Sequence, residues 1–274
     1  MKSQPIGFLD SGVGGLSVVK EVMKRLPNEQ IIFIGDTARN PYGNRTTEEV
    51  IQFSRELAHF LMNKEIKLLV IACNTATAAA LNILKKELPI PVIGVIEPGS
   101  QSAVDHTKNG MIGVIGTVAT INSNEHQQKI KALQPSAQVH TLSVPKFVEI
   151  VENNDLASEH AKTVIREELH GLKDTEIDTL ILGCTHYPLL EKLIQDYLGN
   201  DITLIDPAIL TTQLIEDYLR KNNLLNEQSG KSKKSVFYTT AAAERFEQIA
   251  RNWIPIGDYE VVSISLEEIR KSDE

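Results

Sequence analysis

The sequence predicts an α/β protein built as two related lobes, and three observations carry that prediction. Short runs rich in Ile, Val and Leu recur along the chain, each bounded by Gly, Asp, Asn or Pro. Longer stretches with helical spacing of apolar residues separate them. Two parts of the chain also resemble one another, with a cysteine at the same place in each. Continuous apolar strands alternating with helices indicate parallel sheet covered on both faces, since a half-exposed strand alternates apolar with polar residues instead.

Taken in order, the apolar runs place strands at residues 6–10, 31–35, 67–73, 91–96, 111–116, 179–184 and 202–206, with two more at 235–239 and 260–265. Helical spacing fits residues 16–25, 47–63, 76–88, 155–170, 188–198 and 208–222. The start Thr46-Thr47-Glu48-Glu49 sets a hydroxyl three residues before a carboxylate, a capping-box signature for the second of these helices.

The duplication pairs Ile6-Gly7-Phe8-Leu9-Asp10-Ser11 with Ile112-Gly113-Val114-Ile115-Gly116-Thr117. It also pairs Leu69-Val70-Ile71-Ala72-Cys73-Asn74-Thr75 with Leu180-Ile181-Leu182-Gly183-Cys184-Thr185-His186. The intervals agree, 62 residues from Ser11 to Cys73 and 67 from Thr117 to Cys184. Chance likeness among apolar strands is the competing reading, and the matched cysteines argue against it. Glu97-Pro98-Gly99 is the expected crossing between the halves and Asp206-Pro207 the expected return. The lobes are then residues 1–97 with 208–274, and residues 98–207, with the active site in the cleft between them.

Composition narrows the partners. The chain has 274 residues, 42% hydrophobic and 23% charged, as in a soluble globular protein. No apolar run approaches the roughly 18 to 20 residues that span a bilayer, so no membrane association is expected. The N-terminal apolar stretch is too short for a signal-peptide core, and the expected location is the cytoplasm. A net charge of -8 gives no electrostatic reason to bind nucleic acid. The basic cluster Lys231, Lys233 and Lys234, within the Gly/Ser-rich stretch from Ser229 to Ser235, reads as a solvated loop.

The chemistry is expected at the carboxyl ends of the strands, where ligands bind in open parallel sheets. Asp10, Asp36, Cys73, Thr117 and Cys184 all fall there. A cysteine between a strand and a helix N-terminus meets unpaired N–H groups and the helix dipole, which favour the thiolate. Buried structural thiols are the alternative. A zinc site at Cys184-Thr185-His186 is a second one, although no Cys-x-x-Cys occurs and His59, His106, His126, His140, His160 and His170 are scattered. The loop Asp10-Ser11-Gly12-Val13-Gly14-Gly15 fits G-x-G-x-x-G badly and reads better as an anion-binding turn for a carboxylate. The polar, turn-rich segment Asp36 to Arg45 suits a cleft-lining loop, or an ordinary surface turn.

Together Asp10 to Gly15, Asp36 to Arg45, Ala72-Cys73-Asn74-Thr75-Ala76 and Gly183-Cys184-Thr185-His186-Tyr187-Pro188 resemble the glutamate racemases of the cofactor-independent aspartate/glutamate racemase family, in family order and across most of the chain. The likeness extends through Val95 to Gly99, Gly116-Thr117, Phe147 to Glu152 and Phe237 to Thr240. It departs at Ala241-Ala242-Ala243, where the family often has a Gly-Asp turn, and at His126, where an aromatic residue is common.

The resemblance implies interconversion of L- and D-glutamate without pyridoxal phosphate or metal, supplying D-glutamate for peptidoglycan. It also implies self-association as a homodimer. Cys73 would deprotonate D-glutamate and Cys184 L-glutamate, with Asp10 assisting beside Cys73 and His186 beside Cys184. Ser11, Tyr42, Gly43, Asn74, Thr75, Thr117 and Thr185, together with Asp10 and His186, would contact substrate, and Asp36 and Glu152 would give polar support. For Glu152 a solvated helix carboxylate is an equal alternative. Rival functions stay open at this point: a racemase of the same family acting on aspartate or a hydantoin, a two-lobed ligand-binding protein that needs no thiols, and a metal-dependent hydrolase.

Overall fold

The computed structural model describes residues 2–227 and 234–271. Lys231 and Lys233 lie outside the described residues; Lys234, within them, pairs with Glu260 at 3.3 Å. Among the described residues ten strands run β1 Ile6–Asp10, β2 Ile31–Gly35, β3 Leu68–Ile71, β4 Val92–Gly94, β5 Met111–Gly116, β6 Gln138–Ser143, β7 Thr179–Gly183, β8 Thr203–Ile205, β9 Ser235–Thr239 and β10 Tyr259–Ser263. They form two wholly parallel sheets, ordered β10-β9-β2-β1-β3-β4 and β6-β5-β7-β8.

The run β2-β1-β3-β4 and the whole of the second sheet are the same arrangement strand for strand. In that correspondence β1 matches β5 and β3 matches β7, so Ser11 and Thr117 follow equivalent strands, as do Cys73 and Cys184.

Each sheet buries both faces, which is why its strands read as unbroken apolar runs. In the first sheet Ile6, Phe8, Phe33 and Val70 pack on one face, and Leu9, Ile34, Leu69 and Ile71 on the other. In the second, Ile115, Leu180 and Leu182 face away from Ile112, Val114 and Ile181. At the amino end of β3, opposite the strand ends that build the site, Lys67 is stapled to Glu29 at 2.6 Å and to the carbonyls of Lys2 and Leu224.

The capping box at Thr46 and Glu49 is present and starts the helix Thr47–Met62. Several elements go beyond the sequence prediction. Glu97-Pro98-Gly99, the expected crossing, forms the first turn of the helix Ile96–His106, which leads from β4 to β5. Proline is tolerated there because a first-turn N–H has no partner within its helix. The helix expected over 155–170 is shorter, Glu159–Glu168, and is preceded by another at Lys146–Glu152. Helices Val118–Asn122, Glu125–Leu133, Ala243–Trp253 and Leu266–Lys271 and the strand β6 also have no counterpart in the sequence prediction. No helix among the described residues is long and apolar enough to cross a membrane.

Candidate active site

Cys73 is the N-cap of the helix Asn74–Glu87. Its sulfur accepts the Ala76 N–H at 3.4 Å and lies 3.7 Å from Ser11 Oγ. The helix terminus was expected to lower this thiol's pKa, but the opposite holds. Burial, with the nearby negative charges of Asp10 and Cys184, outweighs the Ala76 hydrogen bond and pushes the Cys73 thiol up to about 12. Cys73 therefore keeps its proton at neutral pH.

Asp10, at the end of β1, is fully buried. Its Oδ1 accepts the Gly12 N–H at 2.9 Å and its Oδ2 accepts from Thr185 Oγ1 at 3.2 Å, which ties β1 of the first sheet to the loop after β7 of the second. Burial raises this carboxyl to about 6, against the downward pull of His186, the Gly12 and Gly15 amides and Thr185. The glycine-rich loop accordingly differs from its expected role as an anion-binding turn: the Gly12 and Gly15 amides are directed at the protein's own Asp10. Gly14 is needed for close approach, since a Cβ there would stand 2.4 Å from Thr185 Oγ1 and 2.6 Å from His186 Nδ1.

Cys184 faces a different set of partners. It precedes a short 3-10 turn, Tyr187–Leu190, instead of the α-helix N-terminus expected. His186 Nδ1 lies 3.7 Å from its sulfur, His186 Nε2 lies 2.8 Å from Glu152 Oε1, and Asn40 Nδ2 donates to that same oxygen at 3.0 Å. Burial alone would lower the imidazole's pKa, but its bonds to Cys184 and Glu152 win and hold His186 well above the usual histidine range. Glu152 is correspondingly lowered: desolvation opposes the change, and the bond from His186 overcomes it. The imidazolium then donates through both ring nitrogens, one toward sulfur and one toward carboxylate. Glu152 is thus no solvated helix carboxylate.

Both cysteines line one small cavity. Ser11, Tyr42, Gly43, Asn74, Thr75, Thr117, Thr185 and His186 line it with them, as do three residues the sequence reading left unassigned: Asn40, Pro41 and Val148. Asn40 and Pro41 belong to the loop 36–45 already expected at the cleft, and Val148 to the stretch Phe147 to Glu152 that carries the family likeness.

Asp10, Asp36 and Glu152 stand behind this wall. Asp36 accepts from Tyr42 Oη at 2.5 Å, from Arg39 Nε at 2.6 Å and from Thr240 Oγ1 at 3.1 Å, and Arg39 also bonds Glu56. Across the cleft Thr75 Oγ1 meets Thr117 Oγ1 at 2.9 Å and Thr120 Oγ1 at 3.1 Å, a hydroxyl cluster joining the two sheets' loops. Gly43 packs so closely on Thr117 that a Cβ would fall 2.6 Å from the threonine Cβ. Among the described residues no three of His, Cys, Asp and Glu converge as a metal-binding set.

Two matched parallel sheets each bring a thiol to one small cavity, and the family comparison gives the class of enzyme this arrangement belongs to. Residues 14–215 match the family model described as Asp/Glu/Hydantoin racemase, and the chain belongs to that family, an isomerase of the racemase type. It is 51% identical over 97% of its length to a glutamate racemase of Carnobacterium, all of which is covered, and 49% identical to that of Enterococcus faecalis over 96% of each chain. Among solved structures it is similar to a glutamate racemase isoform of Bacillus anthracis, with a TM-score of 0.93, 43% identity and coverage of 97% of this chain and 99% of that one. It is also similar to the Francisella tularensis glutamate racemase in complex with D-glutamate, with a TM-score of 0.90, 35% identity and coverage of 98% and 100%.

Proposed function

We propose that this protein interconverts L- and D-glutamate by proton transfer between two cysteines. The observation that carries the reading is the pair of thiols, Cys73 and Cys184, at the ends of equivalent strands and facing one cavity. The relatives named as glutamate racemases, and the Francisella structure holding D-glutamate, support glutamate as the substrate.

Inversion requires that the Cα–H bond break on one face, with its electron pair left on Cα, and that a proton arrive on the other. One cysteine, as thiolate, takes the α-proton. The other, as thiol, delivers its own proton to the opposite face and is left as thiolate, so the two exchange roles at each turnover and the atoms balance. Cys184 serves as base toward L-glutamate and Cys73 toward D-glutamate. Protonated His186 places a positive charge beside Cys184, and Asp10 stands on the Cys73 side. Ser11, Asn74, Thr75, Thr117 and Thr185, with Tyr42 and Gly43, supply hydroxyl and amide groups for the substrate's two carboxylates and for the charge that develops as Cα is deprotonated. No step calls for pyridoxal phosphate.

We take residues 1–97 with 208–274 as one lobe and 98–207 as the other, and place the enzyme in the cytoplasm, as a homodimer, supplying D-glutamate for peptidoglycan. The test is incubation of the purified protein with each enantiomer in the absence of added cofactor, followed by circular dichroism. Decay of either signal to zero supports the reading; no change with either glutamate enantiomer would exclude it.

A further inference from the structure

No step drawn above uses His126, the residue at which the chain departs from the family's aromatic habit. It lies in the helix Glu125–Leu133 and is only 3% exposed. Its Nε2 is 3.1 Å from Asn74 Oδ1 and its Nδ1 is 3.2 Å from Ser100 Oγ. It also packs beside Gly183, the residue before Cys184, where a Cβ would stand 3.4 Å from Nε2. Burial lowers the ring's pKa to about 4, so at neutral pH it carries one N–H and one bare nitrogen. A carbonyl oxygen only accepts. With the Asn74 amide oxygen toward the ring, as here, the proton belongs on Nε2, donated to Asn74 Oδ1, while Nδ1 accepts from the Ser100 hydroxyl.

The consequence falls on Asn74, which lines the cavity beside both cysteines. With its oxygen engaged by His126, the other half of the amide, Nδ2, is left for a ligand. An amide free to flip would offer its oxygen as readily as its NH2, and the oxygen repels a carboxylate. We infer that His126, oriented by Ser100, is a positioning residue that locks the Asn74 amide with its NH2 toward the cleft, so that a carboxylate of the substrate meets a donor. The identity of that substrate rests on the proposed function; the lock itself does not.

Two measurements on the full chain test this. Ring 15N NMR of the ligand-free protein should show the His126 proton on Nε2; a proton on Nδ1 would overturn the proposal. In kinetics, His126→Phe should raise KM for both enantiomers by about tenfold while kcat moves less than about twofold, as loss of a uniform binding contact does. His126→Gln, which can donate to Asn74 and accept from Ser100, should restore KM to within about threefold of the original. In an Asn74→Ala background the His126→Phe change should add nothing further. An undiminished rise in that background would show that His126 does not act through Asn74. If the unmodified protein leaves glutamate unchanged, the substrate assignment fails while the tautomer measurement still decides the role of His126.

Discussion

The two walls of the cleft come from equivalent strands, yet they treat their sulfurs differently. On the first wall Cys73 is buried beside the Ala76 amide, the Ser11 hydroxyl and the Asp10 carboxylate, and its thiol is pushed up to about 12. On the second, Cys184 stands 3.7 Å from an imidazole that Glu152 and the sulfur itself hold in its charged form. The equivalent strands thus supply the matched placement of two sulfurs, and divergence of the side chains behind them gives each a different electrostatic setting. On the proposed mechanism that difference matters, because one group must give a proton while the other takes one. Thermodynamics limits how the asymmetry can appear. The enantiomers have equal free energy, so kcat/KM must be the same in both directions, and only kcat and KM taken separately can differ.

The most severe test of the paired walls is removal of either sulfur. Cys73→Ser and Cys184→Ser should each lower racemisation by about 10³- to 10⁴-fold, the scale of general acid–base catalysis. A variant retaining a tenth of the activity would mean that one wall suffices.

Next in size is acid stability, where Asp10 and His126 oppose each other. Asp10, raised from 3.8 to about 6, keeps a proton in the folded state that the unfolded chain has already lost, so its contribution to stability falls as pH rises from about 4 to 6. His126, lowered from 6.5 to about 4, does the reverse: the unfolded chain takes up a proton first, and stability is lost as pH falls from about 6.5 to 4. Each is worth about 3 kcal/mol over its window at about 1.4 kcal/mol per pKa unit. Urea unfolding at pH 4.5 and 7 should therefore show Asp10→Asn losing more stability on acidification than the unmodified protein, and His126→Phe losing less. The same pH dependence in all three would contradict the assigned shifts.

His186→Gln, which removes the cation from the second wall, should lower kcat/KM by about 10²-fold, equally in both directions, but divide that loss unequally between kcat and KM for the two enantiomers. An equal division would mean that His186 serves both walls. Glu152→Gln, one bond further from sulfur, should cost about tenfold and shift the same balance in the same sense.

Much of this was legible in the sequence because burial on both faces writes itself as unbroken apolar runs: Ile6–Asp10, Ile31–Gly35 and Met111–Gly116 have the same ends in both readings. β6 was not, being a half-exposed edge strand of polar and apolar residues, Gln138–Ser143. The helix Ile96–His106 was not either, because Pro98 and Gly99 near its start interrupt the helical pattern. The cysteines were legible through repetition of their strand. What surrounds them was less so. The direction of the Cys73 shift depends on how deeply the sulfur is buried, and the links from Glu152 to His186 and from His126 to Asn74 join residues 34 and 52 apart in sequence, with no local pattern to announce them.

The central claim is that the α-proton leaves to one cysteine and its replacement comes from the other. It is tested most directly by turnover in deuterated water, stopped early and analysed for label in each enantiomer. Two facing thiols predict deuterium in the newly formed enantiomer while the recovered substrate still carries its original hydrogen. Label appearing in recovered substrate as fast as in product would mean that a single base works both faces, and the account of two opposed walls would be wrong.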